Sequence, residues 1–428
     1  MAIRLIKTSD AGFKPLLKKI LGRRGTRESE VERRVSEIVG AVQKQGDRAL
    51  LRYTEMFDRV RLTRATVEVT PTEIERALAK VARKDLTTLR LAAKRIALFH
   101  RRQLQKSWQY RDPLGMVLGQ RITPLERVGV YVPGGKAVYP STVLMNVIPA
   151  KVAGVKEIIM TSPMGTDGAI ILVAAHIAGV DRIFRVGGAQ AVAAMAFGTG
   201  TIPKVDKIVG PGNIFVATAK RMVFGEVDID SIAGPSEILL LVDDSADPNH
   251  VAADLLSQAE HDELAAALCL TTSTAVARKV QTAMDNQLRG TKRQSITRNS
   301  LQKYGAIIVA RGQREMIELA NAIAPEHIEL IVRRAGTVAK QIRHAGAIFL
   351  GPYSAPPLGD YFAGPNHVLP TGGSARFFSP LGTYDFLKRT TVIQAEKRAL
   401  KALAPKITHL ARLEGLDDHA RSVEARFR

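Results

Sequence analysis

Six short segments carry side chains that could do chemistry. Ser257-Gln-Ala-Glu-His261 sets Gln258 and His261 three residues apart, on one face of a helix expected over 248–260. Ala324-Pro-Glu-His-Ile-Glu329 sets Glu326 and His327 side by side where a strand begins. A carboxylate beside an imidazole is a natural acid–base pair near neutral pH. The plainer reading of each is a solvated polar pair at a helix end. Leu358-Gly-Asp360 leads into a Pro/Gly-rich stretch, 363–373, that carries His367. Long irregular loops in compact domains are commonly functional, and Asp360 could serve as a metal or substrate ligand there. Leu413-Glu-Gly-Leu-Asp-Asp-His419 holds a further carboxylate–imidazole set near the end of the chain. Two glycine turns, Gly187-Gly188 before Ala189-Gln190 and Gly210-Pro-Gly-Asn213, run from strand to helix and can aim backbone N–H groups at a phosphate. Structural turns are the alternative for both. The remaining reactive side chain, Cys269, is the only cysteine; it lies in an apolar run and reads as a core thiol.

The elements that must position these residues alternate. Residues 27–56 and 72–106 read as helices from apolar spacing, the second with a capping box at Thr72 and Glu75. From Val128 onward, strands at 128–132, 156–161, 182–186 and 207–209 alternate with helices at 141–153, 167–179, 189–197 and 213–223. A second series follows: strands 237–242, 266–271, 306–309, 328–332 and 347–350 with helices between them. This grain predicts an α/β protein with two doubly wound, Rossmann-like parallel-sheet domains and small N- and C-terminal helical pieces. The expected partition is a small N-terminal segment, 1–25; a larger domain from 26–130 with 236–381; a second domain, 131–235; and a helical C-terminal arm, 382–428, broken at Pro405. Ser236, between the two α/β series, falls at the expected crevice, where small-molecule sites concentrate.

Composition narrows the class. The chain has 428 residues, 46% of them hydrophobic, so it can bury large cores without disulfides. The longest apolar stretch, 168–180, is too short to span a membrane, and charge interrupts the N-terminus early. A cytoplasmic location is expected. The net charge is +21, and residues 1–130, with 29 Lys/Arg against 14 Asp/Glu, carry most of the excess. Nucleic-acid binding is the first thought for such charge. The basic residues are interleaved with acids on helical faces, and aromatics make up only 5%. A solvated basic surface is the preferred reading, and no specific nucleic-acid partner is expected.

Taken together, several separated runs resemble the histidinol dehydrogenase family. They are 129–135 (GVYVPGG), 140–146 (PSTVLMN), 230–237 (DSIAGPSE), 255–261 (LLSQAEH), 325–327 (PEH), 359–373 (GDYFAGPNHVLPTGG) and 414–419 (EGLDDH). The resemblance spans about residues 115–419. It implies oxidation of L-histidinol to L-histidine through L-histidinal, with two hydride transfers to NAD, in histidine biosynthesis. It implies one zinc ion per subunit on Gln258, His261, Asp360 and His419. Glu326 and His327 match the family's acid–base pair. Ser236, Gln258, His261, His327, Asp360, Glu414 and His419 match substrate-contact positions. Tyr131, Gln190 and Asn213 match nucleotide-contact positions. An intertwined homodimer is implied, its C-terminal arm reaching into the partner. One departure is Pro380 in Ser379-Pro-Leu381, where the family commonly has glycine; it is expected to alter entry to the arm. A same-family enzyme acting on another polar alcohol is the alternative.

Overall fold

The computed structural model describes residues 3–22, 29–134, 138–163, 168–232 and 234–428. Gly135 of the 129–135 run, Ala233 of the 233–237 loop, and residues 1–2 and 23–25 of the expected N-terminal segment lie outside the described residues, as do the starts of the helices expected at 27 and 167.

Two parallel sheets carry the fold. The larger runs in the order Arg4–Lys7, Ala306–Val309, Ala266–Thr271, Glu237–Val242, His327–Ile331, Ala347–Leu350. Its central strands Glu237–Val242 and Ala266–Thr271 are buried at every position. Helices cover both faces, so these strands need an apolar residue nearly everywhere rather than alternation. The second sheet runs Arg182–Phe184, Glu157–Thr161, Arg127–Tyr131, Lys207–Val209, Asp228–Ile229. The two parallel sheets match the expected α/β class.

The N-terminal third departs from the expected partition. Arg4–Lys7 is an edge strand of the large sheet, paired with Ala306–Val309, and Phe13–Gly22 buries Phe13, Leu16 and Ile20 on it. The first residues are therefore part of that domain, not a separate segment. Residues 29–101 go the other way. Val31, Val35, Ile38 and Val42 pack with Val192, Met195 and Ala219, while Leu89, Ala92 and Ile96 pack with Leu144, Ile148 and Ile171. They form an outer layer on the second sheet instead of joining 236–381. The physical reason lies in the inner helices Pro140–Ala153, Gly168–Ala178 and Gly188–Phe197, which are apolar on nearly all sides. A helix without a polar face must be covered on its outer side as well.

Boundaries in this layer follow local chemistry. Gly46, at φ 53°, divides the expected 27–56 helix into Ser29–Gln45 and Asp47–Asp58. The 72–106 helix is likewise two, Pro71–Lys80 and Arg83–Arg101. Its capping box sits at Thr70 and Glu73 rather than at Thr72 and Glu75. Pro71 takes the first helical position, so Thr70 becomes the cap, and its N–H donates to Glu73 Oε2 at 2.9 Å.

The C-terminal arm differs as well. It opens with a strand, Leu387–Gln394, that pairs antiparallel with Val117–Pro124, which in turn pairs with Trp108–Arg111. Pro405 lies inside the helix Lys397–Leu413 and does not break it. At Pro380 the chain is pinned: the Pro380 carbonyl accepts from Tyr384 Oη at 2.7 Å, and buried Leu381 donates its N–H to Val368 O at 3.0 Å.

Glu73 is held well below the usual carboxylate range, at about 2, chiefly by the Thr70 N–H, with further help from Arg185. A depressed carboxyl pKa stabilises the fold above the unfolded value and loses that contribution as the pH falls through the folded one. Glu73→Gln is therefore expected to cost about 1 kcal/mol at pH 7. In urea titrations the gap from the parent chain should shrink steadily between pH 4.5 and pH 2.

Candidate active site

The two sheets present opposite ends to one crevice. In the second sheet the relevant residues follow the strand ends: Tyr131 closes Arg127–Tyr131, Gly187-Gly188 follows Arg182–Phe184, and Gly210 follows Lys207–Val209. In the large sheet Glu237 and His327 open their strands. A small cavity of about 100 Å³ between them is lined by Gly210, Lys220 and Asp230 from one side and Ser236, Glu326 and His367 from the other.

Glu326 and His327 are both buried and both tied to Glu237. The Glu237 N–H donates to Glu326 Oε2 at 2.9 Å. His327 Nδ1 lies 3.2 Å from the Glu237 carbonyl, which makes it the donor and turns Nε2 toward the crevice. Nε2 has no hydrogen-bond partner and lies 3.7 Å from Asp360 Oδ1. His327 Nδ1 is 3.8 Å from Glu326 Oε2. Burial raises the Glu326 carboxyl to about 7 in spite of His327. Burial works to lower His327, but Glu326 and Asp360 outweigh it and raise the imidazole to about 9. Asp360 is lower than an ordinary aspartate: burial opposes this, and His327, His367 and His261 overcome it. The site is thus a compact set of opposite charges drawn from three segments.

His261 faces this set from the end of helix Pro248–Ala259. It is open to solvent at its edge, yet the surrounding protein pulls its pKa down, with Asp360 acting against that. Gln258, one turn earlier, is buried with its amide nitrogen unpartnered. A second, larger cavity of about 490 Å³ runs from His327, Asp360 and His367 toward Phe99 and Tyr384. Phe349 forms one wall, its ring centroid 5.9 Å from that of His327.

On the second sheet, Gly188 N–H donates to Tyr131 Oη at 3.1 Å. Burial pushes the Tyr131 hydroxyl up to about 12, so it stays protonated. Gln190 is buried, and neither amide atom has a partner. Gly210, at φ 113°, passes so close that a Cβ there would stand 2.1 Å from the Tyr131 carbonyl. Asn213 is the cap of helix Ile214–Val223, its Oδ1 accepting from Phe215 and Val216 N–H at 3.1 and 3.2 Å.

Beside Tyr131, Gln190 and Asn213 on the second sheet, the expected site residues fall into two further groups. Ser236, Glu326, His327 and Asp360 line the two cavities, His261 faces Asp360 and His327, and Gln258 lies buried one turn before His261. Glu414 and His419 do not join them within one chain. Both are exposed, one capping helix Lys397–Leu413 and the other on helix Asp417–Glu424. Among the described residues no three His, Cys, Asp or Glu side chains form a group able to hold a metal ion. Two contributors had no assigned role in the sequence. Glu237 acts through its backbone, which no side-chain pattern signals. Asn366 donates Nδ2–H to the Met145 carbonyl at 2.6 Å and stitches the 363–373 loop to the other domain. His367, singled out in that loop, directs Nδ1 at the Asp360 carbonyl, 3.0 Å away.

Comparison with known proteins decides the family. The histidinol dehydrogenase family model matches residues 21–427. The chain belongs to the histidinol dehydrogenase family. The histidinol dehydrogenase of Syntrophotalea carbinolica is 56% identical over 428 residues, covering 100% of this chain and 99% of the relative. That of Geobacter sulfurreducens is 50% identical with full coverage of both chains. A crystal structure of histidinol dehydrogenase from Elizabethkingia anophelis superposes with a TM-score of 0.93 at 35% identity, covering 100% of this chain and 98% of that one. The protein is accordingly an oxidoreductase of histidine biosynthesis with histidinol as substrate. No helix among the described residues is long and apolar enough to cross a membrane.

Proposed function

We propose that this enzyme oxidises L-histidinol to L-histidine in the cytoplasm in two successive steps, with NAD as coenzyme and zinc as resident metal. The observation that carries the reading is the Glu326–His327–Asp360 cluster at the mouth of the crevice, with one carboxyl near 7 and one imidazole ring nitrogen unpartnered. The donor set fits a borderline cation: an amide, an imidazole and a carboxylate on Gln258, His261 and Asp360. Gln258, buried one turn before His261, would offer its amide oxygen to the cation, and its unpartnered Nε2–H2 is a donor free to meet an acceptor. The unpartnered amide of Gln190 beside Tyr131 and Gly188 gives the same kind of support for a nucleotide, with Asn213 at the next turn.

When bound, zinc supplies the positive charge that anchors an imidazole and an amine of the substrate. When bound, NAD supplies the hydride acceptor for both oxidations. The chain's own groups handle protons. His327 Nε2 takes the proton of the carbinol hydroxyl. Glu326 and Asp360, which both favour the charged ring, stabilise the imidazolium that this transfer leaves. Glu326, fixed by the Glu237 N–H, takes a proton from the water that adds to the aldehyde. Ser236 and Asp360 border the substrate, and a buried carboxyl near 7 suits either direction of transfer.

We assign the fourth metal ligand, His419, and the substrate carboxylate Glu414 to a second copy of the chain. Support comes from the arm. Leu413 is 70% exposed, and Leu410 and Leu416 stand exposed beside it. On strand Leu387–Gln394, Val392 and Ile393 are exposed as well. A monomer does not ordinarily leave so much apolar surface uncovered.

NADH formation from L-histidinol tests the assignment directly. A chelator is expected to abolish it while leaving the far-UV circular dichroism intact, because the cores are complete without the ligands. Global unfolding on chelation would contradict this. A shared site predicts complementation: His419→Ala and His261→Ala subunits, inactive separately, should regain part of the activity when dissociated and mixed. Proven mixed dimers without recovery would rule out the shared site. Glu326→Gln removes the base that activates water and keeps its size. Histidinal oxidation should fall by about 10²–10⁴-fold, far more than oxidation of histidinol. Equal losses in the two half-reactions, each followed by NADH release, would refute this division of roles.

A further inference from the structure

Beneath the acid–base pair the large domain buries two more carboxyl groups that the chemistry above leaves unused. Glu329 is fully buried in strand His327–Ile331, and Asp254 is nearly so in helix Pro248–Ala259. The two side chains lie against each other. No N–H or O–H donor reaches either Glu329 oxygen.

Their placement is not incidental to the site. Alternate strand residues share a face, so Glu329 lies on the face that carries His327. Ile331, next on that face, packs in one cluster with Val251 and Leu255 of the helix. Residues four apart on a helix also share a face, so Asp254 stands directly above Gln258. The pair therefore bridges the two elements that deliver Gln258 and His327, one step behind each. The flanking strands offer Glu329 only Leu240 and Phe349 as register partners, neither of them charged. Among the described residues, His250, half exposed at the far end of the helix, is the one basic side chain acting on Asp254.

Two carboxylates cannot both ionise side by side in an apolar interior. Burial and the proximity of Asp254 push Glu329 up to about 9, and burial raises Asp254 too. A single proton between them converts repulsion into a short O–H···O bond.

We propose that Asp254 and Glu329 are a positioning pair: one hydrogen bond between their carboxyl groups locks helix Pro248–Ala259 to strand His327–Ile331 and thereby sets where Gln258 and His327 meet metal and substrate. The metal half of this rests on the zinc reading above. Its failure is separable, because a parent enzyme without bound zinc would refute that reading directly while kcat still reports on the pair.

The experiment uses the full-length enzyme and three readouts: kcat and KM for L-histidinol, zinc affinity by chelator competition, and Tm. Asp254→Ala and Glu329→Ala are each expected to lower kcat and weaken zinc binding by about 10-fold, the scale of lost support behind metal ligands. The double variant should be no worse than either single one, because the bond is already absent. Glu329→Gln, which still donates to Asp254, should restore kcat and zinc affinity to within about 3-fold of the parent. A pair that only held the core together would lower Tm and leave kcat and zinc affinity untouched, and that result overturns the proposal. So do losses that multiply in the double variant. Should the alanine variants fail to fold, Glu329→Asp decides. It keeps the carboxyl one methylene short, so a loss in kcat and zinc affinity supports the proposal and parental values defeat it.

Discussion

The backbone of Glu237 holds both halves of the proposed acid–base pair. Its N–H fixes Glu326 and its carbonyl fixes His327, at 2.9 and 3.2 Å. Both contacts require strand Glu237–Val242 to lie parallel to His327–Ile331 with His327 opposite Ile238. A slip of one residue would turn His327 to the other face of the sheet and remove both contacts. The register is secured well away from the chemistry. Ile238, Leu240 and Val242 pack in the cluster on one face, and Leu239, Leu241, Ile328 and Leu330 in the cluster on the other. Ordinary hydrophobic burial thus sets the position of an imidazole nitrogen.

The crevice follows from how the sheets are joined. Ligands of parallel sheets commonly sit beyond the carboxyl ends of the strands. The second sheet obeys this with Tyr131, Gly188 and Gly210. The large sheet uses its amino ends instead. Only residues 230–236 separate the last strand of one sheet from strand Glu237–Val242 of the other. So short a link brings the end of one strand against the beginning of the next. Lys220 and Asp230 pin the junction as an ion pair in which both side chains are almost fully buried. Lys220 Nζ also donates to the Gly210 carbonyl at 3.0 Å, and Asp230 accepts from the Gly210 N–H at 2.8 Å. A buried pair with its remaining valences satisfied favours one geometry, and here that geometry includes the glycine turn over Tyr131.

The sequence showed the two parallel sheets clearly, because fully buried strands such as 237–242 and 266–271 are apolar at almost every position. It hid elements whose stability comes from partners. Arg4–Lys7 is four residues of mixed character and becomes a strand only by adding to an existing edge. Leu387–Gln394 is largely polar on both faces, so no alternation marks it; its pairing with Val117–Pro124 does. The outer helices were recognised as helices but assigned to the wrong sheet. An amphipathic stripe says that a face is buried, not against what. For the site, the residues that meet in the crevice were legible as types, since carboxylate and imidazole together limit the chemistry. Their mutual geometry was not, because it runs through the Glu237 backbone and the Asn366 anchor.

The arm shows how much of the site one chain can complete. Strand Leu387–Gln394 is committed to its own chain through the full register from Leu387 opposite Pro124 to Gln394 opposite Val117. Only the helices after it can reach elsewhere. Those two helices are locked to each other by Arg412, which bonds Asp417 at 3.2 Å and Glu424 at 2.7 Å. Glu414 and His419 therefore travel as one unit, along with exposed Leu410, Leu413 and Leu416. Surface ion pairs contribute little stability by themselves. What they do here is keep the turn between the helices in one shape. An arm so built can deliver a carboxylate and an imidazole to a site on another subunit at a fixed spacing, with apolar burial of its leucines as the driving force. On the shared-site reading proposed above, the chemistry of the crevice would depend on association, and neither sheet domain would have to distort to supply a ligand.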